Sequence, residues 1–236
     1  MKINKVFVAF ILLLALLITI HLRLTAYAYD DAYIHFRIAR NFIQTGKPYF
    51  NPGQPVMASS SSGWTLVLTA LFAVFGQFPF VVSVANAVFL TAGAFVIYLL
   101  FSKTNPHHPV VIAGAVLIYI GCLIGPSTGL METAFTMLLL MLSLLLYSRK
   151  NRLCLIIFGV LPFFRLEMSF FVAWILIAAW ISRQFNFKQL ILFPLVGGLP
   201  FIVYDLAFFG TIIPNSIYAK EAGYEIPVIN NIENII

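Results

Sequence analysis

"FVAFILLLALLITIHLRLTAYAYDDAYIHFRIARN", residues 7–41, decides the fold class. Its first half is an apolar run that reads as a membrane helix. Its second half abruptly sets two adjacent carboxylates, Asp30 and Asp31, at the mouth of that helix and then adds Arg37 and Arg40. The rest of the chain repeats the contrast. Of 236 residues, 61% are hydrophobic and only 9% charged, where a soluble domain carries about 25% charged. The composition is that of an all-α polytopic membrane protein. Cys122 and Cys154 lie inside apolar runs and read as small core hydrophobes, with no disulfide or metal framework. The net charge of +6 is a matter of membrane orientation, and no nucleic-acid partner is expected.

A membrane helix needs roughly 20 mostly apolar residues. Seven segments approach that length: about 6–22, 79–101, 109–125, 133–148, 152–164, 168–182 and 189–209. An eighth stretch, Trp64 to Phe75, is short enough to lie at the interface instead. Cytoplasmic loops are enriched in Lys and Arg. With the N-terminus inside and 64–75 not crossing, Lys2, Lys5, Lys103, Arg149, Lys150, Arg152, Arg183 and Lys188 share the cytoplasmic side, and no acidic residue joins them. Letting 64–75 cross scatters these charges. The expected topology is therefore seven spans, N-terminus in and C-terminus out. The start, "MKINK" to "AYA", also resembles a secretory signal, but an uncleaved first span fits a chain that stays this hydrophobic.

The polar residues then gather at one level, outside. The longest polar stretch, within a first outer loop of about 23–78, begins with an aspartate suited to a helix start. On a helical wheel Ile34, Phe36, Ile38, Ala39, Phe42 and Ile43 share one side, while Arg37, Arg40, Asn41 and Gln44 share the other. That is an amphipathic helix fit to lie on a membrane. "GKPYFNPGQP", 46–55, is a turn-rich loop, and 63–75 a second interfacial helix. "GPSTGLMET" brings Glu132 to the same level, "FFRLEM" brings Arg165 and Glu167, and "GTIIPNSIYAK" brings Asn215, Tyr218 and Lys220. Each has a plainer reading. The aspartates and Glu132 suit helix caps, the arginines a solvated face, and His35 a packed position. Arg165 and Glu167 are two apart and would not face each other on a helix. Ionisable groups at a bilayer edge cost free energy unless paired or solvated, so four loops supplying them together point to a site.

In order along the chain, these motifs resemble those of C-type (GT-C) glycosyltransferases, and in particular the mycobacterial arabinofuranosyltransferase branch with its uncharacterised bacterial relatives. Asp30 to Ile34 stands for the family's DDA-(Y/F)-I start and Arg37 to Asn41 for its R-x-A-R-N helix. Phe50 to Gly53 matches its turn, and Ser59 to Trp64 its serine-rich stretch before a Trp. "GLMETAF", 129–135, is similar to a G-x-E-T element, and 210–220 to a P-N-S-x-Y-A-K element. "FFRLEM" departs from the relatives' T-R-P-E-G, keeping Arg165 and Glu167 but neither Pro nor Gly. The resemblance spans roughly residues 29–220 of a single module, 1–236. Relatives continue through more spans, so the expectation is a truncated form, or a module whose missing C-terminal part comes from a protein partner.

The resemblance implies transfer of a sugar from a polyprenyl-phosphate donor to a glycan or lipid acceptor of the cell envelope, at the extracytoplasmic face of the cell membrane. A carboxylate must take the acceptor proton, and the leaving phosphate needs positive charge or a metal. Asp30 or Asp31 is the expected base. Asp30 is favoured because it falls on the polar side of the wheel. The pair could alternatively hold a divalent cation. Arg37, Arg40, Arg165 and Lys220 are candidate phosphate binders. Glu132, with Glu167 and Asn215 nearby in the motifs, is a candidate for sugar or acceptor contacts. Trp64 and Tyr218 are candidates for stacking on a sugar. The alternative is a non-catalytic fragment or accessory module that binds the lipid carrier. A transporter ranks last, since its ionisable groups would sit nearer the midplane and repeats would be evident.

Overall fold

The structure is a computed structural model and describes residues 5–104 and 108–215. The described residues contain helices and no strand. They run α1 (Lys5–Leu24), α2 (Asp30–Thr45), α3 (Ser62–Phe75), α4 (Pro79–Thr104), α5 (Pro109–Thr128), α6 (Thr133–Ser148), α7 (Leu153–Val160), α8 (Met168–Ile181) and α9 (Phe187–Phe209), with short 3-10 turns at Thr25–Tyr27 and Leu161–Phe163. Among the described residues, four stretches are long and apolar enough to cross a membrane: Lys5–Tyr27, Pro79–Ser102, Pro109–Thr128 and Phe187–Phe209. The other three segments expected to span form apolar helices of 10–17 residues, as does Ser62–Phe75. At 1.5 Å per residue, the 16 residues of α6 rise about 24 Å, against a hydrocarbon core of about 30 Å. Pro162 shortens the α7 segment further, since it lies where the α-helix gives way to a 3-10 turn.

Among the described residues, three apolar clusters hold the helices together. Leu17, Ala87, Leu90, Ile97, Tyr119 and Leu123 join α1, α4 and α5. Cys154, Leu155, Phe158, Leu161 and Ala179 join α7 and α8, with Leu140 of α6 and Leu190 of α9. Ala32, Ala39, Trp64, Leu68, Phe72, Val82 and Phe164 clamp α2 and α3 onto α4 and the Leu161–Phe163 turn. Inside a bilayer, packing rather than water exclusion drives such contacts, and small residues let backbones approach. α7 and α9 show this. A Cβ added at Gly159 would collide with the Pro194 carbonyl, and one at Gly197 with the Ile156 carbonyl.

The polar connections converge on one end of the bundle. Buried His21 of α1 donates from Nδ1 to the Leu17 carbonyl (2.8 Å), and its Nε2 lies 3.0 Å from Ser127 Oγ at the end of α5. Buried Asn86 of α4 donates to the carbonyls of Ser127 (2.9 Å) and Met131 (3.1 Å). Thr25 Oγ1 and Ser83 Oγ are 2.7 Å apart. These bonds tie α1 and α4 to the α5–α6 turn. The backbone N–H of Tyr29 donates to the Gly129 carbonyl, so the start of α2 rests on the same turn. Asn215 and Met57 exchange two hydrogen bonds, each 3.1 Å, which fasten the loop before α3 to the chain after α9.

Candidate functional site

At that end a cleft of about 500 Å³ opens, and Asp31, Glu132, Arg165 and Glu167 all line it, with Tyr29, Ser60 and Thr133. They come from three turns, with Arg165 and Glu167 sharing the one before α8. Asp31 stands in the first turn of α2. The helix begins at N-cap Tyr29, whose side chain makes no cap bond, so Asp30 and Asp31 are first-turn residues rather than caps. They suit the positive helix end electrostatically. Successive helical side chains point about 100° apart. The structure puts Asp31 into the cleft, while exposed Asp30 is not among the residues lining it. The wheel favours Asp30 because it ranks faces by polarity. The cleft instead opens on the side of α2 that docks to its neighbours.

Glu132 ends the α5–α6 turn, is only 5% exposed, and makes no side-chain cap bond. Leu130, two residues before it, sits at φ +64° in the left-handed region, which non-glycine residues seldom adopt. Its wholly buried side chain anchors the turn in the α2–α3 cluster. One Glu132 carboxylate oxygen lies 3.4 Å from Arg165 Nη1, and the other is buried without a partner. Burial holds the Glu132 carboxyl above its ordinary range, against the opposing pull of the Arg165 charge. Arg165 also donates to Thr133 Oγ1 (3.0 Å) and, through Nε and Nη2, to Glu167 Oε1 at 3.2 and 2.8 Å. Arg165 and Glu167 therefore face each other after all. They lie between the 3-10 turn and α8, off any helix, where a spacing of two does not separate side chains.

The remaining candidates lie elsewhere. Arg37 and Arg40 occupy the opposite face of α2. Arg37 donates to Asn51 Oδ1 (3.1 Å) and rests 4.3 Å over the Phe50 ring, and Arg40 donates to Gln77 Oε1 (2.8 Å). Trp64 is wholly buried, its ring 6.5 Å from that of Phe135. It is closed to a sugar here and acts as a packing residue, because the serine-rich stretch before it turns inward. Within that stretch Ser61 caps α3 by accepting from the Trp64 N–H (3.2 Å), and Ser62 donates to buried Asp205 Oδ2 (3.2 Å). Ser59 Oγ accepts from the Ser61 N–H and lies 3.0 Å from His35 Nδ1. Burial lowers His35 to about 4, so the imidazole is neutral. Asn215 serves the Met57 clasp. Tyr218 and Lys220 lie outside the described residues.

Sequence reasoning missed Tyr29, Ser60 and Thr133 in the cleft wall, and the hydrogen-bonded set of His21, Asn86 and Ser127. The signal for the last three was present, since polar side chains inside apolar spans rarely lack a task. Their pairing across the chain was not readable. No group of three or more His, Cys, Asp or Glu among the described residues could hold a metal ion. The donor set does not suit a divalent cation either, since Asp30 and Asp31 diverge and Arg165 already sits between Glu132 and Glu167. Compared with protein-family models, curated proteins and solved structures, the chain matches none.

Proposed function

We propose that the chain is a membrane glycosyltransferase of the GT-C kind, acting at the extracytoplasmic face on a polyprenyl-phosphate-linked sugar and an envelope glycan or lipid acceptor. The observation that carries the reading is the convergence of Asp31, Glu132, Arg165 and Glu167, from three separate motifs, on one cleft. In this reading the seven apolar segments all lie in the membrane, with the shorter helices packed among the longer ones. Asp31 accepts the proton of the acceptor hydroxyl. The freed oxygen attacks the anomeric carbon as the bond from that carbon to the phosphate oxygen breaks, and the lipid phosphate leaves with the electron pair. Glu132, buried beside Arg165, bonds sugar hydroxyls. Arg165 positions Glu132 and Glu167. With two carboxylates against it, it offers little charge to spare for the phosphate. That task falls to Lys220, on the sequence resemblance alone.

One observation favours a second reading, a non-catalytic module that binds the lipid carrier: the Arg165 guanidinium is already engaged by Glu132, Thr133 and Glu167 within the protein. The test is sugar transfer from radiolabelled polyprenyl-phosphate donors in membranes expressing the chain. Asp31→Asn should lower transfer by about 10²–10⁴-fold, the range for a lost general base, while Asp30→Asn keeps most of it. No transfer by the unmodified chain across several donors would select the second reading.

A further inference from the structure

The face of α2 opposite Asp31 lines a separate cleft of about 610 Å³. Tyr33, Phe36 and Phe72 form its greasy wall, and Arg37, Arg40 and Gln77 its polar one; no acidic residue lines it. Both arginines are already oriented. Arg40 donates from Nε to Gln77 (2.8 Å), and its two Nη groups have no hydrogen-bond partner among the described residues. Arg37 lies 4.3 Å over the Phe50 ring and is bonded through Nη2 to Asn51, and its other N–H groups have no hydrogen-bond partner among the described residues. Two preset, charged forks with spare donors fit the tetrahedral oxygens of a phosphate. The position says which phosphate. The cleft reaches Pro79, where the candidate span α4 begins. Exposed Phe75, Phe78 and Phe80 flank that point, the last two stacked 5.5 Å apart. Aromatic side chains at the end of an apolar helix mark the headgroup level of a bilayer, where two guanidinium groups can reach the phosphate of a lipid headgroup.

We propose that this cleft binds the headgroup of an anionic phospholipid. Arg37 and Arg40 donate to its phosphate oxygens, and its acyl chains run down beside Phe78 and Phe80. The site is distinct from the acidic cleft, and its test needs no transferase activity.

Native mass spectrometry of the purified full chain, titrated in detergent with phosphatidylglycerol or with phosphatidylcholine of the same acyl chains, reads the affinity directly. The phosphatidylglycerol should bind about tenfold tighter or better, roughly 1.4 kcal/mol. Arg37→Gln with Arg40→Gln should erase that preference, Arg37→Lys with Arg40→Lys should keep part of it, and Lys47→Gln, outside the cleft, should leave it unchanged. Equal affinity for the two lipids, or a preference that survives the double Gln variant, overturns the proposal. Glycerol 1-phosphate competing as strongly as the whole lipid would assign the cleft to a soluble phosphate and overturn it too. So would a polyprenyl phosphate that displaces phosphatidylglycerol with higher affinity. If the Gln variant fails to fold, the lipid comparison and both competitions in the unmodified chain still decide.

Discussion

Glu132 has one carboxylate oxygen against a guanidinium and the other against nothing, in a turn held by a strained, buried leucine. Glu132 is buried while Arg165 keeps about a third of its side chain exposed, so removing the arginine leaves a desolvated carboxyl without its charged partner. Arg165→Met should therefore destabilise the chain by about 1–3 kcal/mol, below the cost for a fully buried pair because Arg165 is partly exposed, and adding Glu132→Gln should recover most of it. Chemical unfolding in micelles reads both, and an Arg165→Met variant as stable as the parent would dismiss the pair as ornament. His35 makes a second prediction at this scale. Its folded value is about 4 against an ordinary 6.5, so between those pH values the unfolded chain takes up a proton that the folded chain refuses. Stability should fall as pH drops from 6.5 toward 4, by up to about 3 kcal/mol, and then level off. His35→Gln should flatten that window in the same assay. At this scale the sequence showed which residues carry charge and little about where they point. Asp30 and Asp31 are equivalent in composition and differ by one helical step. Trp64 reads as a sugar platform or a core residue until the Ser59–Ser62 stretch is seen to fold inward.

Among elements, α2 and α3 were the most legible. The apolar side of the wheel correctly includes Ile38 and Ala39, which are buried along with His35, and the short run near 64–75 is a helix at Ser62–Phe75. Amphipathic periodicity survives translation into packing because one face must find apolar neighbours. The shorter apolar helices were less legible, since an all-apolar run announces burial without announcing length or partner. The α7–α9 contact is an example. Its glycines look like loose punctuation in the sequence, yet they mark the places where two backbones touch. Gly159→Leu or Gly197→Leu should force these helices apart and cost several kcal/mol, beyond the 1–3 typical of overpacking, because the obstacle is backbone. Gly121→Ala, with nothing near its would-be Cβ, should be close to neutral. Thermal unfolding of the three variants in one detergent makes the comparison.

For the whole molecule, charge placement is the strongest long-range information in the sequence. The carboxylate turns meet at one end of the bundle, as their shared level in the sequence suggested. Which side of the membrane that end faces is carried by the basic residues alone. With Cys122 and Cys154 replaced by Ala, Asp30→Cys should react with an impermeant thiol reagent added outside intact cells, and Lys103→Cys should react only after lysis. Labelling at 103 but not at 30 would invert the topology and remove the basis for an extracytoplasmic reaction.

The burial of Trp64 has an optical consequence. Of the three tryptophans, Trp174 and Trp180 are 75% and 58% exposed on α8, while Trp64 is sealed in aromatic surroundings with its indole N–H unbonded. Brominated acyl chains should thus quench Trp174 and Trp180 and spare a blue-shifted remainder. With those two changed to Phe, the surviving emission becomes a single internal lamp. It should redden when the α2–α3 pair lifts from the bundle and stay unchanged when motion is confined to α8.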